Sequence, residues 1–278
     1  LISLALGSAL LFTWVPYGNP SRRGMLFFAL ILLLIGNFVQ FSGMLCFMFI
    51  LLGLGYIKRG LPLNKPIIFG VFTLAFLAYA HQIPGFNNWL VIPGRSLSPA
   101  SLPFRSYFNF DKVFIGAMLM ATIPLMHDRR DILPMLKEML IPSLFCLITL
   151  WGTATLLGYI TFDPKWPSIM MYWTINNLIF VVVTEEALYR GFLQRHLSML
   201  WPDYSRLSWL AILIPAVLFG ANHYTGGPYY ILLATIAGCF YGYVYRRTKR
   251  FEASIILHFA VNLVHILFFS YPASKIIF

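Results

Sequence analysis

The chain has 278 residues, 59% of them hydrophobic and only 10% charged, with 20 Lys+Arg against 9 Asp+Glu and a formal net charge of +11. A soluble domain carries roughly 25% charged residues, so a soluble globular class is excluded, and the apolar content excludes a disordered chain. Cys46, Cys146 and Cys239 sit in apolar runs and cannot pair completely, which excludes a disulfide scaffold; the mean hydropathy of +0.77 points the basic excess toward lipid, with no nucleic-acid partner. The expected class is an all-α, polytopic transmembrane helix bundle in contact with the lipid bilayer.

Apolar stretches are predicted at about 1–15, 25–57, 67–81, 113–126, 139–160, 169–189, 208–222, 229–245 and 253–270, separated by Pro, Gly and basic residues. The first residue is Leu1 rather than Met, so no signal peptide is read from it. Met25–Ile57 would run about 50 Å as one helix, beyond a hydrocarbon core of about 30 Å, so a break is expected at Asn37, Gln40, Ser42 and Gly43. A hairpin there gathers Arg22, Arg23, Lys58, Arg59, Lys65, Arg129, Arg130, Lys137, Arg190, Arg195, Arg206, Arg246, Arg247, Lys249 and Arg250 on one side. Arg95, Arg105, Lys112, Lys165 and Lys275 are left on the other, so the first group is expected to be cytoplasmic. The result is about 8–10 membrane segments, some short enough to be re-entrant, in one integrated membrane domain.

The longest connection, Gln82–Asp111, falls on the non-cytoplasmic side; it is expected to be an interfacial loop, with a lid as the alternative.

Of the nine acids, Asp111, Asp128, Asp131, Glu138, Asp163, Asp203 and Glu252 lie in loops or at segment edges. Glu185 and Glu186 directly follow a long apolar run, where an ionisable side chain costs several kcal/mol and signals function by default. Helix neighbours point about 100° apart, so the two carboxylates serve different ends. Glu186 and Arg190 have the i,i+4 spacing of an ion pair, which frees Glu185.

His81, His127 and His196 stand at segment ends or in charged stretches, as solvated or interfacial histidines do. His223 ends an apolar helix four residues after Phe219, and His258, Asn262 and His265 share one helical face. A carboxylate and an imidazole hold and deprotonate a water; a second imidazole with an amide donates to an oxyanion. Neither a Gly-x-Ser-x-Gly elbow nor a His-Glu-x-x-His zinc motif is present.

Glu185-Glu186-x-x-x-Arg190, Phe219-x-x-x-His223 and His258-x-x-x-Asn262, with Tyr189-Arg190-Gly191-Phe192-Leu193, resemble the motifs of the CPBP intramembrane proteases, relatives of the type II CAAX prenyl endopeptidases. The resemblance covers about the last 110 residues and implies a catalytic core at 161–278, with residues 1–160 expected to select substrate. It implies a CPBP catalytic helix core in the C-terminal half, with Glu185 activating water, His223 assisting, His258 and Asn262 as oxyanion donors, Glu186 and Arg190 orienting the site, and Phe219 packing. It implies a glutamic-type endopeptidase without a cofactor, cutting near the terminus of a membrane-attached protein or peptide: a prenylated C-terminus, a C-terminal sorting tag or a leader peptide. The alternative is a zinc-dependent protease with Glu185, His223 and His258 as ligands, against which Asn262, a poor zinc ligand, argues.

A non-catalytic scaffold or immunity-type binding protein, and a proton-relaying transporter, are the competing classes. The expected location is a bacterial inner membrane, or the endoplasmic reticulum of a eukaryote. One difficulty stands: Glu185 is mid-helix, His258 near the cytoplasmic start of its segment and His223 near the opposite end of its own. They meet only if the helix ending at His223 is short or displaced, or if its preceding loop dips into the membrane.

Overall fold

The computed structural model describes residues 39–60, 64–125 and 129–275. The first apolar stretch, the first half of the Met25–Ile57 hairpin with Arg22 and Arg23, and His127 and Asp128 lie outside the described residues. Helix α1, Phe41–Lys58, begins directly after Gln40, so its start coincides with the expected polar break. It packs on α2, Asn64–Tyr79, where Gly53 faces Val71 so closely that a Cβ would overlap the valine side chain.

The long connection is not an irregular loop. Strand β1, Trp89–Ser96, pairs antiparallel with β2, Pro103–Phe108, in the register Trp89↔Phe108, Leu90↔Tyr107 and Ser96↔Pro103. Aromatic residues favour the strands; one register slip falls at Val91, between Leu90 and Ile92, and a second, between Ile92 and Arg95, holds Pro93 and Gly94, which suit a bulge.

Helix α3, Phe110–Met120, is buried at every position except Lys112. Helix α4, Ile132–Leu156, is the longest regular one at 25 residues and exposes Leu140, Ile141, Leu144, Phe145 and Ile148, a stripe suited to lipid. A composite helix α5 covers 170–200. Three helices follow: α6, Leu210–Ala221; α7, Gly227–Thr248, with Pro228 in its first turn; and α8, Phe251–Phe268.

The protein is thus an all-α bundle of eight helices, among the described residues, with one two-stranded sheet. By length and composition α1, α4 and α8 are long and apolar enough to cross a membrane, and Lys65–Tyr79 and Leu210–Ala221 are shorter apolar helices. One core runs from Val39 to Ala273, joining both halves of the chain.

One end of the bundle is basic: Lys137 opens α4, Arg195 lies in the last part of α5, and Arg246, Arg247, Lys249 and Arg250 join α7 to α8. Asp203 pairs there with Lys249 at 2.7 Å and Arg246 at 2.9 Å, and Arg250 pairs with Asp131. The Lys249 hydrogen bond holds the Asp203 carboxyl below the usual carboxylate range. Arg190, grouped with these residues by charge counting, is instead fully buried inside the bundle, because its partner Glu186 is buried too. Asp111 stands at the segment edge read for it, in the first turn of α3, but is buried there, held by the half-exposed His81 and by Asn88 Nδ2 at 3.1 Å.

Candidate active site

Glu185 and Glu186 belong to Val183–Glu186, a regular α-helical turn of α5 between Asn176–Val182 and Ala187–Gln194, which are wound as wider π turns. Such turns break the regular side-chain stagger and recur at functional sites.

The carboxylates have separate partners. Glu186 Oε1 accepts from Arg190 Nη1 at 3.1 Å and from His258 Nδ1 at 2.8 Å, and Arg190 Nη2 donates to Gly238 O at 2.9 Å. Glu185 Oε1 accepts from the Tyr79 hydroxyl, and Glu185 Oε2 stands 3.7 Å from His258 Nε2. Because Nδ1 of His258 gives its proton to a carboxylate, Nε2 is the nitrogen turned toward Glu185. His223 is set the same way, with Nδ1 donating to the Phe219 carbonyl at 2.7 Å, so the neutral ring keeps a lone pair on Nε2. Asn262 Nδ2 donates one amide hydrogen to Asn177 Oδ1 at 3.2 Å.

Glu185, His223, His258 and Asn262 line one cavity of about 290 Å³. The depth difficulty is resolved by α6, which has only 12 residues and ends at Ala221; His223 follows in the turn that leads into α7. The Phe219 ring lies tilted 4.7 Å from His223 and edge-on 5.6 Å from His258, with the Arg190 guanidinium 5.0 Å away. Tyr241 stacks on His258 at 4.6 Å from the other side.

The cavity lies at the end opposite the basic one. Its lining comes from Leu150 and Trp151 late in α4, Asn176 and Asn177 early in α5, Tyr230 and Leu233 early in α7, and Asn262 and His265 late in α8. Strand β2 and Tyr271 complete it. Burial pushes the Tyr159 and Tyr271 hydroxyls, in the connections after α4 and α8, up to about 12, so both stay neutral there.

Sequence reasoning missed three contributors. Asn177 carries a legible signal, since it interrupts the apolar run two turns before Glu185. Lys112 sits 4.3 Å over the Tyr79 ring, and Tyr79 itself reaches Glu185 from α2. No local pattern marks Tyr79, because the contact closes across 106 residues.

Fold and site together define an integral membrane protein with paired buried glutamates and two cavity-lining histidines on a helical bundle. Residues 166–264 match the family model described as type II CAAX prenyl endopeptidase Rce1-like, so this segment is similar to the CAAX-type intramembrane endopeptidases. No curated protein and no solved structure matches the chain.

Proposed function

We propose that the protein hydrolyses a peptide bond near the terminus of a membrane-attached protein or peptide. Glu185, assisted by Nε2 of His223, takes a proton from water; His258, carrying a hydrogen on Nε2 as well as the one Nδ1 gives to Glu186, and the second amide hydrogen of Asn262 donate to the oxyanion; Glu186 and Arg190 hold His258 in place. The observation that carries this reading is that Glu185, His223, His258 and Asn262, from three separate parts of the chain, line one cavity. A binding scaffold has no need of base and oxyanion groups in one cavity, and a proton relay has no need of a cavity wall built from strand β2.

The substrate is read from the position of the cavity. Basic residues collect on the cytoplasmic side of membrane proteins, and the cavity is at the other end of the helices. The favoured substrate is therefore a sorting tag or leader peptide presented at the non-cytoplasmic face of a bacterial inner membrane, ahead of a prenylated cytoplasmic tail. Its selection is assigned to residues 1–160.

No metal has a step in this mechanism. Among the described residues no three His, Cys, Asp or Glu side chains are grouped to hold a metal ion, and the Oε1 of Glu185 is engaged by Tyr79. The test is a library of palmitoyl-anchored decapeptides incubated with the purified full chain in detergent and read by mass spectrometry. Cleavage is expected, reduced at least about a hundredfold by Glu185→Gln or His223→Ala and unchanged by a zinc chelator. Cleavage that survives both substitutions overturns the site, and cleavage lost to the chelator and restored by zinc overturns the metal-free mechanism.

A further inference from the structure

A strand has two edges, and the two edges of β2 have different fates. One is paired with β1. On the other side only the residues leading into the strand are engaged: Leu102 N donates to Ala273 O at 3.0 Å, Lys275 N to Ala100 O at 3.0 Å, and Ser101 bridges Ser274. From Pro103 to Phe108 that second edge has no backbone partner among the described residues.

This open edge borders the cavity. Phe104, Arg105, Ser106 and Tyr107 are consecutive lining residues, whereas no residue of β1 lines it. Successive side chains of a strand point to opposite faces, so a strand that met the cavity with one face would contribute alternate residues. A run of neighbours is the signature of an edge. One face is packed: Ser106 Oγ contacts Tyr172 OH at 3.0 Å and accepts from Asn176 Nδ2 at 3.1 Å, Phe104 packs on Tyr271, and Phe108 packs on Phe180, while Pro103, Arg105 and Tyr107 on the opposite face are exposed.

We infer that the free edge of β2 is the substrate dock: the peptide adds to it as an extended strand, exchanging main-chain hydrogen bonds with residues 103–108. The inference rests on the endopeptidase reading above and gives it a binding mode. An unpaired row of N–H and C=O groups is a template for another strand, and strand addition is a recurring mode of peptide capture. A bound strand also holds the scissile bond in extended form, with every second side chain directed to one face. Recognition is then by backbone, and side-chain choice is confined to alternate positions facing the cavity wall of Trp151, Tyr230 and Leu233.

The experiment uses the full chain in detergent and the best-cleaved palmitoyl decapeptide of the library, resynthesised with one backbone ester or one N-methyl amide at each position other than the scissile one. The expected result is a period of two: kcat/KM falls about tenfold or more at alternate positions and stays within about twofold at those between, in both series. Wild-type cleavage with a flat or non-alternating profile overturns strand addition and leaves the endopeptidase reading standing. Failure of every unmodified peptide to be cleaved overturns that reading, and this inference with it.

Discussion

Tyr79 donates its hydroxyl hydrogen to Oε1 of Glu185 across 106 residues of sequence, with both side chains buried. The donor lies on α2, outside the residues 166–264 that match the family model, so the first half of the chain reaches the Glu185 carboxylate. With Oε1 engaged, Oε2 is the oxygen left toward His258.

Tyr79→Phe keeps the ring beneath Lys112 and removes only the hydroxyl. A hydrogen bond to a charged group contributes about 1.5–3 kcal/mol, so kcat should fall between about ten- and a hundredfold. Steady-state kinetics on the cleaved peptide, with KM within about threefold of wild type, checks this. A wild-type kcat would mean that Glu185 needs no such anchor.

Arg190 and Glu186 form a fully buried ion pair at 3.1 Å. Arg190→Met strands a carboxylate in the core and should cost about 3–5 kcal/mol, whereas replacing both partners by apolar residues removes the stranded charge. Thermal unfolding in detergent should therefore rank Glu186→Leu/Arg190→Met above Arg190→Met alone. Activity should be lost in the double variant, because His258 loses the acceptor of its Nδ1 proton, and only reduced in Arg190→Met, where Glu186 still accepts that proton but has lost its guanidinium partner.

Gly116 of α3 lets the turn that bears Glu185 approach. A Cβ there would come within 2.9 Å of the Thr184 Cα, a backbone atom that cannot swing aside. Gly116→Ala should destabilise by about 1–3 kcal/mol and lower kcat by displacing Glu185. Gly152→Ala is the control: nothing lies within 4 Å of its added Cβ, and both properties should hold or improve.

Orientation is open to cysteine labelling in intact cells, where Cys46 and Cys146 are buried and contribute little background. Arg95→Cys and Lys275→Cys should react with an impermeant maleimide added outside. Arg206→Cys and Lys249→Cys should react only after the membrane is opened. The reverse pattern would put the cavity at the cytoplasmic face and favour a prenylated tail as substrate.

The class of the protein was legible in its residues, because the bilayer imposes constraints that composition and spacing carry directly. Few charges, long apolar runs and one-sided Lys and Arg report on the surrounding solvent. A pair of carboxylates in an apolar run reports on chemistry, and i,i+4 spacing on a helix is enough to foresee the Glu186–Arg190 pair. Local geometry sets all of these.

What only the tertiary structure decided is everything that depends on contacts between distant segments. The Tyr79 hydrogen bond, the burial of Asp111 and Arg190, and the cavity at the end opposite the basic residues follow from how helices pack, which no residue spacing encodes. The β-hairpin is the clearest case. Its aromatic residues suit an interfacial loop and a strand equally well, and the choice is made by pairing with a partner strand, leaving one edge of β2 open where the carboxylate waits.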